Sequence, residues 1–210
     1  YLAEDAADMV DVEYEPLEAV VNFATAEANP NLVFADYPGN VCGQLGGLPA
    51  DSLAPVFEAA AHVVEGTIHQ QAYVASPMET RGIVVEWSPG DATLTVWAAT
   101  QAPHDLRLFA SRLLAVPESR IRVIARDTGG AFGQKINAHR EDMCMLLAAR
   151  KVPAALKYIE DRRENLMASS SRRENGFVRM AFDEEGTLLA ATIDHLQDVG
   201  AYPVPWPVFD

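Results

Sequence analysis

The chain holds 210 residues, with 16 Lys plus Arg against 30 Asp plus Glu, a formal charge of −14 at pH 7. Residues 1–105 carry a single basic side chain, Arg81, against 16 acidic ones, whereas residues 106–210 carry 15 basic and 14 acidic ones. A first half at −15 excludes a nucleic-acid or anionic-membrane surface there, and a second half at +1 is too weakly basic to make phosphate backbones the target.

At 49% hydrophobic and 22% charged residues the composition is globular, and no apolar run approaches the ~20 residues of a membrane span. Residues 2–9 read as the end of a helix. Residues 10–15 alternate apolar and acidic side chains, the period of a half-buried strand that Pro16 ends. From Asn29 to Leu53 the pattern gives way to Asn, Pro and Gly, which marks a long loop and a domain boundary. Strands are expected at His62–Val74, Arg81–Trp87 and Thr93–Ala98, the last two joined by the turn Ser88-Pro89-Gly90-Asp91. Pro103–Ala115 reads as a helix with Leu106, Phe109, Leu113 and Leu114 on one stripe. A strand at Arg120–Ala125, a glycine loop at Asp127–Gln134 and a helix at Asn137–Arg150 follow, with Asn137 as N-cap and Glu141 and Asp142 in its early turns. Ala154–Ile159 is a short strand, Asp161–Ala168 is helical, and Gly176–Phe182 with Thr187–His195 form a hairpin. The mixture predicts an α+β fold. Cys42 and Cys144 lack metal-type spacing, and Cys144, inside an apolar helical run, is expected in the core. A start at Tyr1 inside a helix and strand-like residues at 203–210 suggest a piece of a larger polypeptide.

The segment with the most chemical character is Asp127-Thr128-Gly129-Gly130-Ala131-Phe132-Gly133-Gln134-Lys135. Between a strand and a helix, a loop almost bare of side chains lets its backbone approach a ligand, and exposed N–H groups favour an anion or a polarised oxygen. A plain tight turn is the competing explanation. A Walker loop is excluded, because Gln134 precedes Lys135 and Ile136 follows it, and the dinucleotide glycine pattern does not fit. Phe132 in so bare a loop suggests a wall beside a planar ligand. Gln101, at a strand-to-helix turn, offers an amide to a ligand, the alternative being capping by Thr100 with Gln101 solvated. Glu79 and Arg81 read as a surface ion pair worth under about 1 kcal/mol. Asp161-Arg162-Arg163-Glu164 reads as a solvated helix start, adding with Lys135, Lys157, Arg172 and Arg173 to the basic half. The histidines show no zinc spacing, and no nucleophile motif is present.

In order along the chain, VDVEYEPLEAVV (10–21), SPMETRGIVVEW (76–87), VWAATQAPHDLR (96–107), IRVIARDTGGAFGQK (121–135) and LKYIEDRRENLMASS (156–170) with DVGAY (198–202) resemble the large, molybdopterin-binding subunit of the xanthine dehydrogenase, aldehyde oxidase and carbon monoxide dehydrogenase family. The resemblance implies that residues 1–28 end a small N-terminal α/β domain. Residues 29–58 would be a linker, and 59–210 the first part of the molybdenum-cofactor domain. It implies that Phe132 and Gly133 lie against the metal and its oxo ligand, that Gly130 and Ala131 shape the approach to the pterin, and that Gln101 hydrogen-bonds an oxo ligand. Gln101 and Phe132 would be the catalytic pair. The pterin dithiolene would hold the metal, so no protein ligand set is expected. The reaction implied is hydroxylation of a small substrate with oxygen from water, electrons leaving through [2Fe–2S] and FAD centres on partner subunits or domains. The catalytic glutamate would lie outside these residues, and Glu79 would be structural.

Two departures from the family pattern matter. Ala131 stands where the family has a third glycine, and a positive φ there would cost about 1 kcal/mol or more. Ile136 stands where purine-oxidising relatives carry a glutamate, which turns the expectation toward aldehydes, other aromatic heterocycles or carbon monoxide. The resemblance further implies the cytosine-dinucleotide form of the cofactor, a dimer of heteromers that includes the rest of the large subunit, and a cytoplasmic location. A basic half holding the glycine loop suggests that the cofactor's phosphate is bound there. Two other readings stand: a family-derived scaffold subunit without molybdenum, or a module whose glycine loop holds another anion.

Overall fold

The computed structural model describes residues 1–168 and 173–202. The expected strand-like tail at 203–210 and the basic residue Arg172 lie outside the described residues. The chain divides into two units, Tyr1–Ala59 and Ala60–Asp210.

The first unit opens with α1 (Leu2–Asp8) and closes with α2 (Ala54–Ala59), joined by irregular chain and short 3₁₀ turns. The strand expected at residues 10–15 does not form: these residues carry no regular structure and are exposed. Alternation supplies an apolar face, but a strand also needs a ladder partner for its N–H and C=O groups, and no described segment pairs with it. Asn40 (φ +56°) organises the middle of the unit. Its Oδ1 accepts from the Val33 N–H, and its Nδ2 donates to the carbonyls of Ala26 and Asn31.

The second unit contains two sheets. One is three-stranded and antiparallel, built from β1 (His62–Gln70), β6 (Arg173–Phe182) and β7 (Leu188–Asp198) in the order β1-β6-β7. The long β-type run therefore stops at Gln70, four residues short of the expected end. The β6–β7 turn is shaped by Asp183, whose Oδ1 accepts from the Thr187 N–H at 2.7 Å.

The other sheet comprises β2 (Gly82–Ser88), β3 (Thr93–Ala98), β4 (Ile121–Ile124) and β5 (Leu156–Ile159) in the order β4-β3-β2-β5. The β2–β3 hairpin is antiparallel and β3–β4 is parallel. A parallel pair needs a crossover, which α3 (Pro103–Leu114) provides. Pro103 sits in its first turn, and Ala115 ends it in the left-handed region at φ +52°. Ile83 and Val85 of β2 and Leu94 and Val96 of β3 point alternate side chains into one core, closed by Leu106, Ala110 and Leu114 of α3.

α4 (Arg140–Ala149) adds Leu146 and Ala149 to that core. Two expectations are corrected here. The helix starts three residues later than expected and is capped by His139, not Asn137. The His139 N–H donates to Asp142 Oδ2 at 2.9 Å, and its ring accepts from the Asp142 N–H, a reciprocal pairing a histidine rarely supplies. Cys144 is exposed rather than buried. It lies two residues, about 200° around the helix, from Leu146, so the apolar run passes through the solvent face. After β5, α5 (Arg162–Ala168) begins behind an Asp161–Glu164 reciprocal cap. The fold is α+β, as the sequence led one to expect.

Candidate functional site

The site is assembled where three chain passages meet: residues 77–81 before β2, residues 100–102 after β3, and the glycine loop between β4 and α4. The loop has almost no side chains with which to hold itself, and its neighbours hold it by its backbone. At its start, Glu79 Oε2 accepts from the Gly129 N–H at 2.8 Å, and the Glu79 N–H donates to the Gly129 carbonyl at 3.1 Å. A Cβ on Gly129 would stand 2.7 Å from that of Glu79, so the approach requires glycine. At its end, the Lys135 carbonyl accepts from the Gln101 N–H at 3.1 Å and from Thr100 Oγ1 at 3.0 Å. Thr100 Oγ1 also accepts from the Ala102 N–H, but the N-cap of α3 is Ala102, not Thr100.

The five residues singled out from the sequence fall as follows. Gln101 is exposed, and its Oε1 accepts from the Gly133 N–H at 3.2 Å. That leaves its amide hydrogens to donate beside the loop. Gly130 is at φ +93° and packs on Pro77, and Gly133 is at φ +90° with open space where a Cβ would stand. Phe132, at φ +54°, is 78% exposed. Ala131 is absent from the positive-φ positions, so its methyl group carries no left-handed strain. The N–H groups of Ala131 and Phe132 make no hydrogen bond to a described residue. An aromatic ring, adjacent unpaired amides and a glutamine thus share one loop.

Electrostatics behind the loop differ from the expected surface pairs. Lys135 is only 2% exposed, and its Nζ donates to Glu79 Oε2 at 2.9 Å. Its ammonium is therefore committed to Glu79 rather than displayed to a phosphate. That bond, with the Gly129 N–H, holds the Glu79 carboxyl below its ordinary range despite some desolvation. Arg81 does not pair with Glu79. It is 4% exposed and pairs with Glu160 and, more loosely, Glu141. Burial pushes the Glu160 carboxyl up, but the Arg81 bonds outweigh burial and hold it low. Burial raises the Asp142 carboxyl against its bond from the His139 N–H.

Sequence reasoning missed Glu160, Arg162 and Asn165. The dense Glu160–Glu164 charge run was the available signal, but it reads equally well as a solvated helix start.

No group of three or more metal-ligating side chains occurs among the described residues. A donor set of backbone N–H groups and one glutamine amide fits a metal carried on an organic ligand. Comparison with known proteins shows the family. The profile of the molybdopterin cofactor-binding domain matches residues 33–209.

The chain belongs to the molybdopterin cofactor-binding domain family.

Within that family it is 37% identical over 97% of its length to the nicotine 6-hydroxylase large subunit of Paenarthrobacter nicotinovorans. It is 30% identical over 99% of its length to the carbon monoxide dehydrogenase large chain of Afipia carboxidovorans. Among solved structures, quinoline 2-oxidoreductase from Pseudomonas putida 86 superposes with a TM-score of 0.80 at 35% identity, covering 96% of this chain and 26% of that one. This molybdopterin-binding chain spans about a quarter of the length of the curated relatives it matches, 25% and 28% for the two named. No described helix is long and apolar enough to cross a membrane.

Proposed function

We propose that this chain is part of the large subunit of a molybdenum hydroxylase and that the Gly129–Gln134 loop, with Gln101, forms one wall of its cofactor site. The observation that carries the reading is the Gln101–Gly133 hydrogen bond, which places an amide donor beside the exposed Phe132 and the free Ala131 and Phe132 N–H groups. Gly130, Ala131, Phe132 and Gly133 would hold the molybdopterin, with Gln101 and Phe132 beside the metal. When bound, that group supplies two-electron oxidation of a substrate carbon with oxygen from water. The protein's own part is to orient it. Gln101 and the loop N–H groups would donate hydrogen bonds to it, and Phe132 would shield it from water. Ala131, absent from the positive-φ positions, supports a loop that accepts the cofactor over a metal-free scaffold.

A non-purine aromatic N-heterocycle is the substrate class best supported. Relatives at 37% and 35% identity are named for nicotine and quinoline, and Ile136, partly exposed after Lys135, offers a heterocycle no carboxylate. Residues 1–28 would end a preceding domain, residues 29–58 link it, and residues 59–210 begin the cofactor domain. Electrons would pass to [2Fe–2S] and FAD centres on partners in a cytoplasmic dimer of heteromers, with the cofactor in its cytosine-dinucleotide form. The test is metal and pterin analysis of the intact complex, alone and with Gln101→Ala. Stoichiometric molybdenum, and a variant with lowered turnover at unchanged molybdenum, are expected. A folded, full-length complex free of molybdenum would overturn the reading.

A further inference from the structure

We infer that Asn165 is a positioning residue for the glycine loop, acting through Gln134; the inference rests on the reading that this loop faces the cofactor. Three positive-φ residues, Gly130, Phe132 and Gly133, lie between the two ends at which the loop is held. Their conformation is set by how firmly those ends are fixed. The start is fixed by Glu79. The end is fixed at the Lys135 carbonyl, held by Thr100 and Gln101, and at Gln134, a polar side chain that turns inward and is 6% exposed.

Besides its N–H bond to the Ala131 carbonyl within the loop, Gln134 is held from outside at three points. Its Oε1 accepts from Asn165 Nδ2 at 2.8 Å, and its Nε2 donates to the Asn165 carbonyl at 3.2 Å. Its own carbonyl meets His139 Nε2 at 2.8 Å. Two of the three come from Asn165, which is fully buried. That residue spends its whole side chain on the task. The second Nδ2 hydrogen goes to Glu160 Oε2 at 2.9 Å, and Oδ1 accepts from Arg162 Nη1 at 2.7 Å. Arg162 then reaches the Pro77 and Met78 carbonyls. Pro77 is the surface against which Gly130 packs. Asn165 therefore ties the end of the loop to the passage that supports its middle. No buried side-chain polar atom among the described residues lacks a partner. A network satisfied throughout is rigid, and one lost member leaves the others unpaired.

The consequence falls on Gly133. Its N–H must meet Gln101 Oε1, and it immediately precedes Gln134. If Gln134 swings free, the Gly133 N–H leaves Gln101 and the amide pair at Ala131–Phe132 loses its orientation, although the side chains of Asn165 and Gln134 are both buried.

Hydrogen exchange on the full-length enzyme complex tests this, with Asn165→Ala, Gln134→Met and the double variant. Gln134→Met keeps side-chain length and breaks the clasp from the loop side, so the test stands even where Asn165→Ala fails to fold. We expect the Gly133 and Gln134 amides to exchange at least tenfold faster in each single variant. Protection in β2 and β3 should stay unchanged, the double variant should be no faster than either single one, and molybdenum retained through gel filtration should fall by half or more. Unchanged loop exchange, additive effects, or loss of loop and sheet protection together would overturn the inference, the last because it marks a merely structural residue. A parental complex without molybdenum would instead overturn the functional reading, and the exchange pattern would still decide the role of Asn165.

Discussion

Replacing Glu160 with glutamine should destabilise the second unit by about 3 kcal/mol. Glu160 is 1% exposed and takes four hydrogen bonds. Oε1 accepts from Arg81 Nε at 2.9 Å and Nη2 at 2.5 Å, and Oε2 accepts from the Arg81 N–H at 3.0 Å and Asn165 Nδ2 at 2.9 Å. A glutamine offers one acceptor oxygen, so either orientation turns an NH₂ group toward two of the four donors. Removing one partner of a buried ion pair costs about 3–5 kcal/mol, because the other charge is left uncompensated. Arg81 keeps the half-exposed Glu141 at 3.3 Å, which places the loss at the lower end of that range. Urea unfolding of the 210-residue chain measures it, using Trp87 and Trp97 fluorescence in a Trp206→Phe background. The pH dependence supplies a second check. The folded carboxyl is held below the ordinary 4.5, so its stabilisation is complete above that value and is lost as pH falls through the depressed one. The gap between parent and Glu160→Gln should stay constant from pH 8 to about pH 5 and close below it. A loss under about 1 kcal/mol at pH 7, or a gap indifferent to acid, would refute the assignment of Glu160 as the buried partner of Arg81.

Other perturbations separate the loop's components. Gly130→Ala places a Cβ 3.2 Å from both Pro77 and Phe132 at φ +93°, and should cost about 1–2 kcal/mol while lowering molybdenum content in the intact complex. Ala131→Gly should leave molybdenum content unchanged and lose about 0.4–1 kcal/mol in urea unfolding, since the alanine is unstrained and glycine adds unfolded-state entropy. Glu79→Gln keeps an acceptor for the Gly129 N–H but removes the charge facing buried Lys135. Solvent around half-exposed Glu79 limits the loss to about 1–2 kcal/mol, fading as pH drops through the depressed Glu79 value, as acid titration of the unfolding midpoint would record.

What the sequence revealed and what it hid divide along contact distance. The β2–β3 hairpin and α3 were legible because turn residues and apolar spacing act within a few positions. The glycine loop was legible for the same reason: its bareness is local. Arg81 pairs against the local reading because its partners, Glu141 and Glu160, lie 60 and 79 positions away, whereas Glu79 lies two positions before it. The Lys135–Glu79 pair, 56 positions apart, and the Asn165–Gln134 clasp, 31 apart, were hidden likewise. Residues 10–15 show the converse, a strand pattern with no described partner. The cap of α4 was misplaced because Asn137 obeys the usual preference and His139 does not.

The span of these contacts also orders events during synthesis. The loop leaves the ribosome well before α5, and the clasp on Gln134 cannot close until residue 165 has emerged. Until then the loop is held by Glu79 and Gln101, 50 and 32 positions upstream of their loop contacts, and by Thr100 and His139, without the clasp. A nascent chain arrested before α5 should be cut by protease within residues 129–133, and one arrested well beyond it should resist. A ligand that needs the finished loop must therefore arrive after residue 165 has emerged.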